Sequence, residues 1–496
     1  MIENMEKYKR ECREFLSDFA LNALRSYGRM IGVNNPTKDK KKNVLIDEIV
    51  AVLSGEVMPT LPSRLGAPVK NDFVDPKLPE GLEQIRIANL KGGSQEEIVA
   101  RMRALQKNPY VLSVADPNAD ELKRRGLNEI FNGQLETVNG ISMLLPLDCS
   151  DADVKIVVSV EMIRAYDLRE GDVISCLAER RQNLLVAVKI LKINGFSADN
   201  YHRAKFDECR VRYPYQRVKF CEKEETASLV AKLLQWLVVV GKGQRGLVVA
   251  PPKTGKTTLL TDIALCAKQA DENTCVISLL VDQAPEAIRL YRELVGSENL
   301  LFTTYEDTPE YQMFVAEFAL KRAKRYAESG KDVLLVVDSF NALSRAFNDT
   351  DESVGGKTLP GGLESKTLQY LKRYFGTARC FERGGSLTMI GTLSVDTGNP
   401  ADDYLRAELS AVSNLEIVLS EELAKKRIYP AIDLLDTRGK RTADSTGMYE
   451  GVTNEIIRGE YLEKFTVKDL YKIVMDAVSF SDMETQIFKQ LKAKKK

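Results

Sequence analysis

The sequence is poor in histidine, with His202 its only imidazole. Its eight cysteines (Cys12, Cys149, Cys176, Cys209, Cys221, Cys266, Cys275 and Cys380) stand singly, with no CxxC pair. Together these absences argue against a zinc site and for reduced cytosolic thiols. No window reaches the ~18 consecutive uncharged apolar residues of a membrane span. The opening MIENMEKYKRECREF alternates charge where a signal peptide places an apolar core, so the chain reads as soluble and unexported. Net charge is missing too: Lys plus Arg and Asp plus Glu both total 71. Any nucleic-acid surface must therefore come from segregation of charge along the chain.

What is present is an ordinary globular mixture, 44% apolar and 29% charged over 496 residues. At about 150 residues per domain that suggests roughly three folding units. Apolar residues at three- and four-residue steps predict amphipathic helices over 5–27 and 44–53, a helical segment of 1–55. Between them lies the basic run Lys38–Lys42, which suits a phosphate backbone and a solvated loop equally. Residues 56–127 form a proline-rich linker and insert: five of the 17 prolines fall in 56–79, and one helix is expected near Gln95–Gln106. From 128 to 200 short apolar strands broken by turn residues predict a small antiparallel barrel, a fold that often binds single-stranded nucleic acid.

A basic connector follows over 201–229. Within its first part, Tyr201–Phe220, Arg203, Lys205, Arg210, Arg212, Arg217 and Lys219 face only Asp207 and Glu208, with Phe206, Tyr213 and Tyr215 interleaved. Cations alternating with rings suit a phosphate backbone and stacked bases, with Arg210, Arg212 and Tyr213 as RNA-binding candidates. An interdomain connector packed on both sides would look the same. From 230 to 496 strand and helix patterns alternate, with strands at GLVVA, CVISLLVD, DVLLVVD, SLTMIGTL and NLEIVLS. Helices are expected at TTLLTDIALCAK, PEAIRLYRELV, Glu310–Arg325 and Lys366–Phe381. Strands so continuously apolar are buried on both faces, which predicts one α/β domain with a mostly parallel sheet.

Within it, the run from Ala250 through Lys253, Thr254, Gly255, Lys256, Thr257 and Thr258 follows a strand and opens a helix, the context of a phosphate-binding loop. Gly255 lets the backbone approach closely, the amides face the phosphates, Lys256 neutralises their oxygens, and Thr257 is placed to ligate magnesium. Ala250 stands where the strict pattern has glycine. Downstream, an apolar strand ends in Asp338, where such folds place the carboxylate partner of the magnesium. These motifs indicate a nucleoside triphosphatase fold.

The segments GQRGLVVAPPKTGKTTLL, DVLLVVDSFNALSRAFN, GGKTLPGGLESKTLQYLKRYFGTAR, ERGGSLTMIGTLSVDTG and KKRIYPAID, in this order, resemble the bacterial transcription termination factor Rho family. The resemblance covers roughly 1–55 and 128–440. It implies a RecA-like P-loop ATPase domain behind a small OB/cold-shock-like barrel and an N-terminal helical segment. It further implies a cytoplasmic hexamer that binds nascent single-stranded RNA, hydrolyses ATP with Mg2+, pulls RNA through a central channel and dislodges RNA polymerase. By position, Lys253, Lys256 and Thr257 would hold phosphates and magnesium, Asp338 would complete the metal site, and Tyr429 would stack on adenine. Arg427 matches an interface arginine, Arg438 and Arg441 are both candidates for the arginine finger, and Lys357 matches a basic channel-loop residue that grips RNA.

Departures from the family pattern matter as much. Gln283 stands where the family has its catalytic, water-activating Glu, and an amide accepts no proton at neutral pH. It can still orient a water, as Gln does in small GTPases; Asp282 and Glu286 are carboxylates at offset positions. Ile141, Met143 and Val157 replace three aromatic base-stacking positions, a loss of ~1–3 kcal/mol per base. Pro400 stands where the second channel loop has Lys. Two main readings follow: an RNA-dependent ATPase, helicase and terminator, or an ATP- and RNA-binding paralogue with little hydrolysis that joins an active Rho. A relative of the rotary ATP synthase subunits would not need GGKTLPGG or the N-terminal helices.

Overall fold

The computed structural model describes parts of 9–57, then 130–138, 141–149, 155–181, 184–199, 201–350, 357–359, 361–382, 384–439 and 464–494. The expected insert helix near Gln95–Gln106 and nearly all of 56–127 lie outside the described residues, as does Arg441. Two compact units emerge: 1–202 with 305–325 and 349–352, and 203–304 with 326–348 and 353–496.

In the first unit, helix α1 (Lys42–Leu53) sets Leu45, Ile49 and Val52 on one face. These residues close a small core with Cys12, Leu16, Leu24 and Tyr27. Burial pushes the Cys12 thiol up to about 12, so it behaves as a packed apolar group. Separately, β1 (Ile130–Val138), β2 (Ile141–Leu145), β3 (Ile156–Val157), β4 (Val173–Arg181), β5 (Leu184–Ile193) and β6 (Phe196–Ser197) form one sheet in the order 3-2-1-4-5-6. A short helix α2 (Val160–Ala165), capped by the Ser159 hydroxyl, links β3 to β4.

The sheet closes into a barrel because β3 also pairs with β5, Ile156 opposite Leu185 and Val157 opposite Val186. That closing ladder is parallel, so the barrel is not purely antiparallel as its strand pattern predicts. A crossover through α2 and β4 brings β3 and β5 into the same direction. Strand β1 carries Gly133 where a Cβ would sit 2.8 Å from Leu144 Cβ, so only glycine permits this close crossing of β1 and β2. The Asn194–Gly195 turn joins β5 to β6 with Asn194 at φ 54°, and its amide donates to Asp172 and Tyr201.

Residues 305–325, most of helix α6 (Pro309–Glu328), belong to this unit. Arg322, fully buried, donates to Gln134 Oε1 at 2.8 Å, and Gln134 donates to the Phe318 carbonyl at 2.9 Å. Lys321 bridges Glu136 and Glu170 at 2.6 and 2.8 Å.

In the second unit, β8 (Arg245–Ala250), β9 (Thr274–Gln283), β10 (Leu300–Thr304), β11 (Asp332–Asp338), β13 (Ser386–Ser394) and β14 (Leu415–Val418) are all parallel. Their order is 10-9-11-13-8-14, and β15 (Arg438–Gly439) adds antiparallel at the edge. Six consecutive residues of β11 are buried whichever way they point, as a sheet covered on both faces requires. The helices include α4 (Lys256–Ala270), α5 (Pro285–Val295), α7 (Phe340–Asn348), α8 (Ser365–Gly376) and α9 (Pro400–Val412).

Gly391 of β13 sits where a Cβ would lie 2.3 Å from the Phe340 ring, so α7 packs directly on the strand backbone. The helix expected over Lys366–Phe381 ends at Gly376, a poor helix former. Residues Arg379–Phe381 instead form β12, antiparallel to both β13 and β7 (Val211–Arg212). Two C-terminal helices that the sequence reading passes over, α11 (Val467–Asp476) and α12 (Phe480–Lys494), supply Tyr471, Val474, Met483 and Ile487 to the main core.

No helix among the described residues is long and apolar enough to cross a membrane. All eight cysteines are free, and among the described residues no cluster of three His, Cys, Asp or Glu forms a metal site.

Candidate nucleotide site

Parallel strands put all their C-terminal ends on one edge of the sheet, where ligands of open α/β folds bind. Ala250, Gln283, Asp338 and Ser394 end four neighbouring strands there. Between β8 and α4 the chain must turn sharply. Lys253 takes φ 63° and Gly255 φ 90°, a conformation that suits glycine. Thr254, buried, ties the turn by donating to the Pro251 carbonyl at 2.8 Å. Lys256 Nζ folds back onto the loop, donating to the carbonyls of Pro251 and Ala250 at 2.9 and 3.3 Å. Burial pulls its ammonium below the ordinary lysine value, and the nearby Asp338 charge opposes that shift. An ammonium satisfied only by neutral carbonyls is primed to exchange them for anionic oxygens.

Thr257 Oγ1 donates to Asp338 Oδ2 at 2.7 Å, and Thr392 donates to the other carboxylate oxygen. Thr258 is exposed on the first turn of α4. A hydroxyl and a carboxylate are the hard oxygen donors that magnesium takes alongside phosphate oxygens and water, so the pair fits that ion.

Gln283 ends β9 at the same edge. Its Nε2 donates to the Val281 carbonyl at 3.2 Å and lies 3.5 Å from the Asp338 carbonyl. With the amide nitrogen engaged by backbone, Oε1 is left as the accepting end. Asp282 turns away at φ 57°, and Arg345 lies 3.7 Å from its carboxylate. Glu286 lies in the first turn of α5.

Tyr429 comes to the loop from the far end of the chain. Its ring lies 3.7 Å from where a Gly255 Cβ would sit, and its hydroxyl donates to Asp262 Oδ2 at 2.6 Å. Burial first, then the Asp262 carboxylate, push the phenol well above the ordinary tyrosine range. Contacts thus gather Lys256, Thr257, Asp338, Gln283, Gly255 and Tyr429 into one cluster.

Other candidates sit elsewhere. Arg427 is exposed at φ 56°, with no side-chain partner among the described residues. Arg438 on β15 lies 3.7 Å from Asp436. Lys357 is exposed at the base of a turn, where its backbone is bonded to Ser365 in both directions. That turn abuts α9: a Cβ on Gly361, at φ 84°, would sit 2.4 Å from the Ala401 amide nitrogen. Pro400 is the first helical residue of α9, after Asn399 as N-cap.

The basic connector divides. Arg210, Arg212 and Tyr213 are exposed, with Arg212 stacked 3.6 Å over the Tyr215 ring. Arg203, by contrast, is buried 3.4 Å from Glu328, and Phe206 packs edge-on against Phe381. These two are core groups, not parts of a cationic strip. On the barrel, Met143 is 1% exposed, whereas Ile141 and Val157 are half-buried. Thr392 and Asp262 were missed by sequence reasoning. Thr392 lies within a uniformly buried strand and Asp262 within a helix, and neither position carries a motif.

Residues 231–438 match the ATP synthase alpha/beta family, nucleotide-binding domain. Transcription termination factor Rho of Streptomyces coelicolor is 35% identical over 301 residues, covering 61% of this chain and 70% of that protein. Rho of Cereibacter sphaeroides is 33% identical over 378 residues, covering 73% of this chain and 88% of that protein. The chain belongs to the Rho family. Among solved structures, the assembled ATPase EscN of the enteropathogenic E. coli type III secretion system aligns with TM-score 0.45 and 21% identity. It covers 62% of this chain and 78% of that one. The Rho resemblance of the phosphate loop and of the segment around Tyr429 thus extends over most of the relatives' length.

Proposed function

We propose that this chain is an RNA-dependent, ATP-driven translocase that assembles as a homo-hexamer in the bacterial cytoplasm and terminates transcription by releasing nascent RNA from RNA polymerase. The observation that carries this reading is the Thr257–Asp338 contact at the mouth of a phosphate loop, in a chain of the Rho family. Lys253, Thr254, Gly255 and Lys256 cradle the triphosphate, and Thr258 and Tyr429 flank the base. Thr257 and Asp338 would hold Mg2+, which neutralises charge on the phosphates when bound. Arg427, with Arg438 or Arg441 as the finger, serves the site of a neighbouring subunit. Lys357 grips RNA in the channel, and the apposition of its turn with α9 supports that reading by presenting both loops together. Arg210, Arg212 and Tyr213 offer an exposed cationic and aromatic surface to the incoming strand.

Gln283 Oε1 accepts a hydrogen bond from the attacking water and orients it, while the water's proton passes to an oxygen of the transferred phosphoryl group. Hydrolysis is therefore slower than with a carboxylate at this position. Lys256→Ala is expected to abolish nucleotide-dependent release of transcripts from a stalled polymerase complex. Release that persisted in this variant would overturn the reading.

The same Gln283 supports a second reading. A protein that binds ATP and RNA, scarcely hydrolyses, and co-assembles with an active Rho as its regulator would need the cradle but not the base. Turnover measured with and without RNA separates the two.

A further inference from the structure

Tyr429 is 42% exposed, yet both its ring and its backbone are fixed. Tyr471 of α11 donates to the carbonyls of Pro430 and Ile432 at 2.7 and 3.3 Å, anchoring the segment that follows the ring. At the other end the Tyr429 hydroxyl reaches Asp262 Oδ2 at 2.6 Å, and Asp262 makes no other side-chain hydrogen bond among the described residues. Asp262 stands on α4, the helix that begins with Lys256 and Thr257, one turn beyond the exposed Thr258. Residues four apart share a helix face, so Thr258 and Asp262 line the same side of α4. The ring therefore spans from the phosphate-loop glycine to the second turn of the helix, with open surface beside the phosphate cradle.

We infer that Asp262 is a positioning residue for the nucleotide base: its hydrogen bond to Tyr429 holds the ring at the angle at which a purine stacks. A phenylalanine in this place would stack but swing freely. The tyrosine hydroxyl, pinned to the loop's own helix, orders the ring before the ligand arrives and so lowers the ordering cost of binding. This inference rests on the reading of Tyr429 as the base platform. Its mark is selectivity for ligand with a base: Asp262 acts on nucleoside triphosphate and is silent toward inorganic triphosphate, which touches only the cradle.

The test is calorimetry on the full chain with ATP and, separately, with inorganic tripolyphosphate. Asp262→Ala and Tyr429→Phe should each weaken ATP about three- to tenfold, with tripolyphosphate changed less than about twofold. The double variant should be no weaker than either single one, because both remove the same bond. Asp262→Asn, which keeps an acceptor oxygen, should restore most of the affinity. Tyr429→Phe carries the test alone if Asp262→Ala does not fold. Additive losses, or equal weakening of ATP and tripolyphosphate, would overturn the inference. If Tyr429→Ala left ATP affinity unchanged, the base-platform reading would fall, and the inference with it. A loss in Tyr429→Ala with none in Asp262→Ala or Tyr429→Phe would overturn the inference alone.

Discussion

Asp338 is held from two sides: Thr257 at the start of α4 donates to one carboxylate oxygen at 2.7 Å, and Thr392 of β13 donates to the other. Three elements, α4, β11 and β13, thus meet on a carboxylate that is 3% exposed. Thr392, which is no ligand itself, is the outer partner that fixes the orientation of a metal-binding carboxylate before the metal arrives. Asp338→Ala should leave two hydroxyls unpaired and cost about 1–3 kcal/mol, read as a lower urea midpoint. Asp338→Asn should fold but lose the gain in ATP affinity that magnesium brings, measured by titrations with the ion and with a chelator.

Gly361 is where the turn after Lys357 meets the start of α9. A side chain there would meet the Ala401 amide nitrogen at 2.4 Å from a backbone at φ 84°. Gly361→Ala carries a backbone cost of roughly 1–2 kcal/mol, and in addition a clash with Ala401 that parting the loops would relieve. RNA stimulation of turnover should drop, with ATP affinity preserved within about twofold. An unchanged RNA response would show that the apposition has no role.

Lys357 presents its side chain to solvent from an anchored turn. As the proposed phosphate contact it would act through counterion release. Lys357→Ala should weaken RNA binding alike for all sequences and reduce the salt slope by about one per subunit contact. Fluorescence anisotropy over a salt series reads both.

In the first unit, the Glu136 side chain is 3% exposed and depends on Lys321, itself one-third exposed. Lys321→Met should cost about 3 kcal/mol, the lower end for breaking a buried pair because the ammonium is partly solvated. Burial pulls Lys321 down, but Glu136 and Glu170 together hold it above the ordinary lysine value. A raised cation stabilises the fold fully below the lysine value of the unfolded chain, about 10.4. That contribution is lost as pH climbs through the higher folded value. Urea unfolding at pH 8 and pH 11 should show the decline in the natural chain and a smaller one in the variant.

The phosphate loop, Asp338 and the alternation of strands and helices around them were legible because a turn, a helix start and an apolar strand leave strong local patterns. Helix α5 was expected with the bounds the structure gives, since Pro285 at its start and Gly296 after its end are local stop signals. Closure of the barrel by a parallel β3–β5 ladder was not legible, because two residues per strand carry no periodicity. Arg203 and Phe206 looked like a nucleic-acid strip because charge and rings in sequence do not reveal which side they face. Their burial against Glu328 and Phe381 depends on residues more than 100 positions away. Asp262 and Thr392 gained meaning only when distant elements met.

In the proposed reaction Gln283 orients water without removing its proton. ATP turnover should be measured on the natural chain and on Gln283→Glu, each with and without single-stranded RNA. Slow, RNA-stimulated hydrolysis is expected in the natural chain, and a rate at least about tenfold higher in the variant. No hydrolysis by the natural chain with RNA, or no gain on restoring the carboxylate, would contradict this role for Gln283.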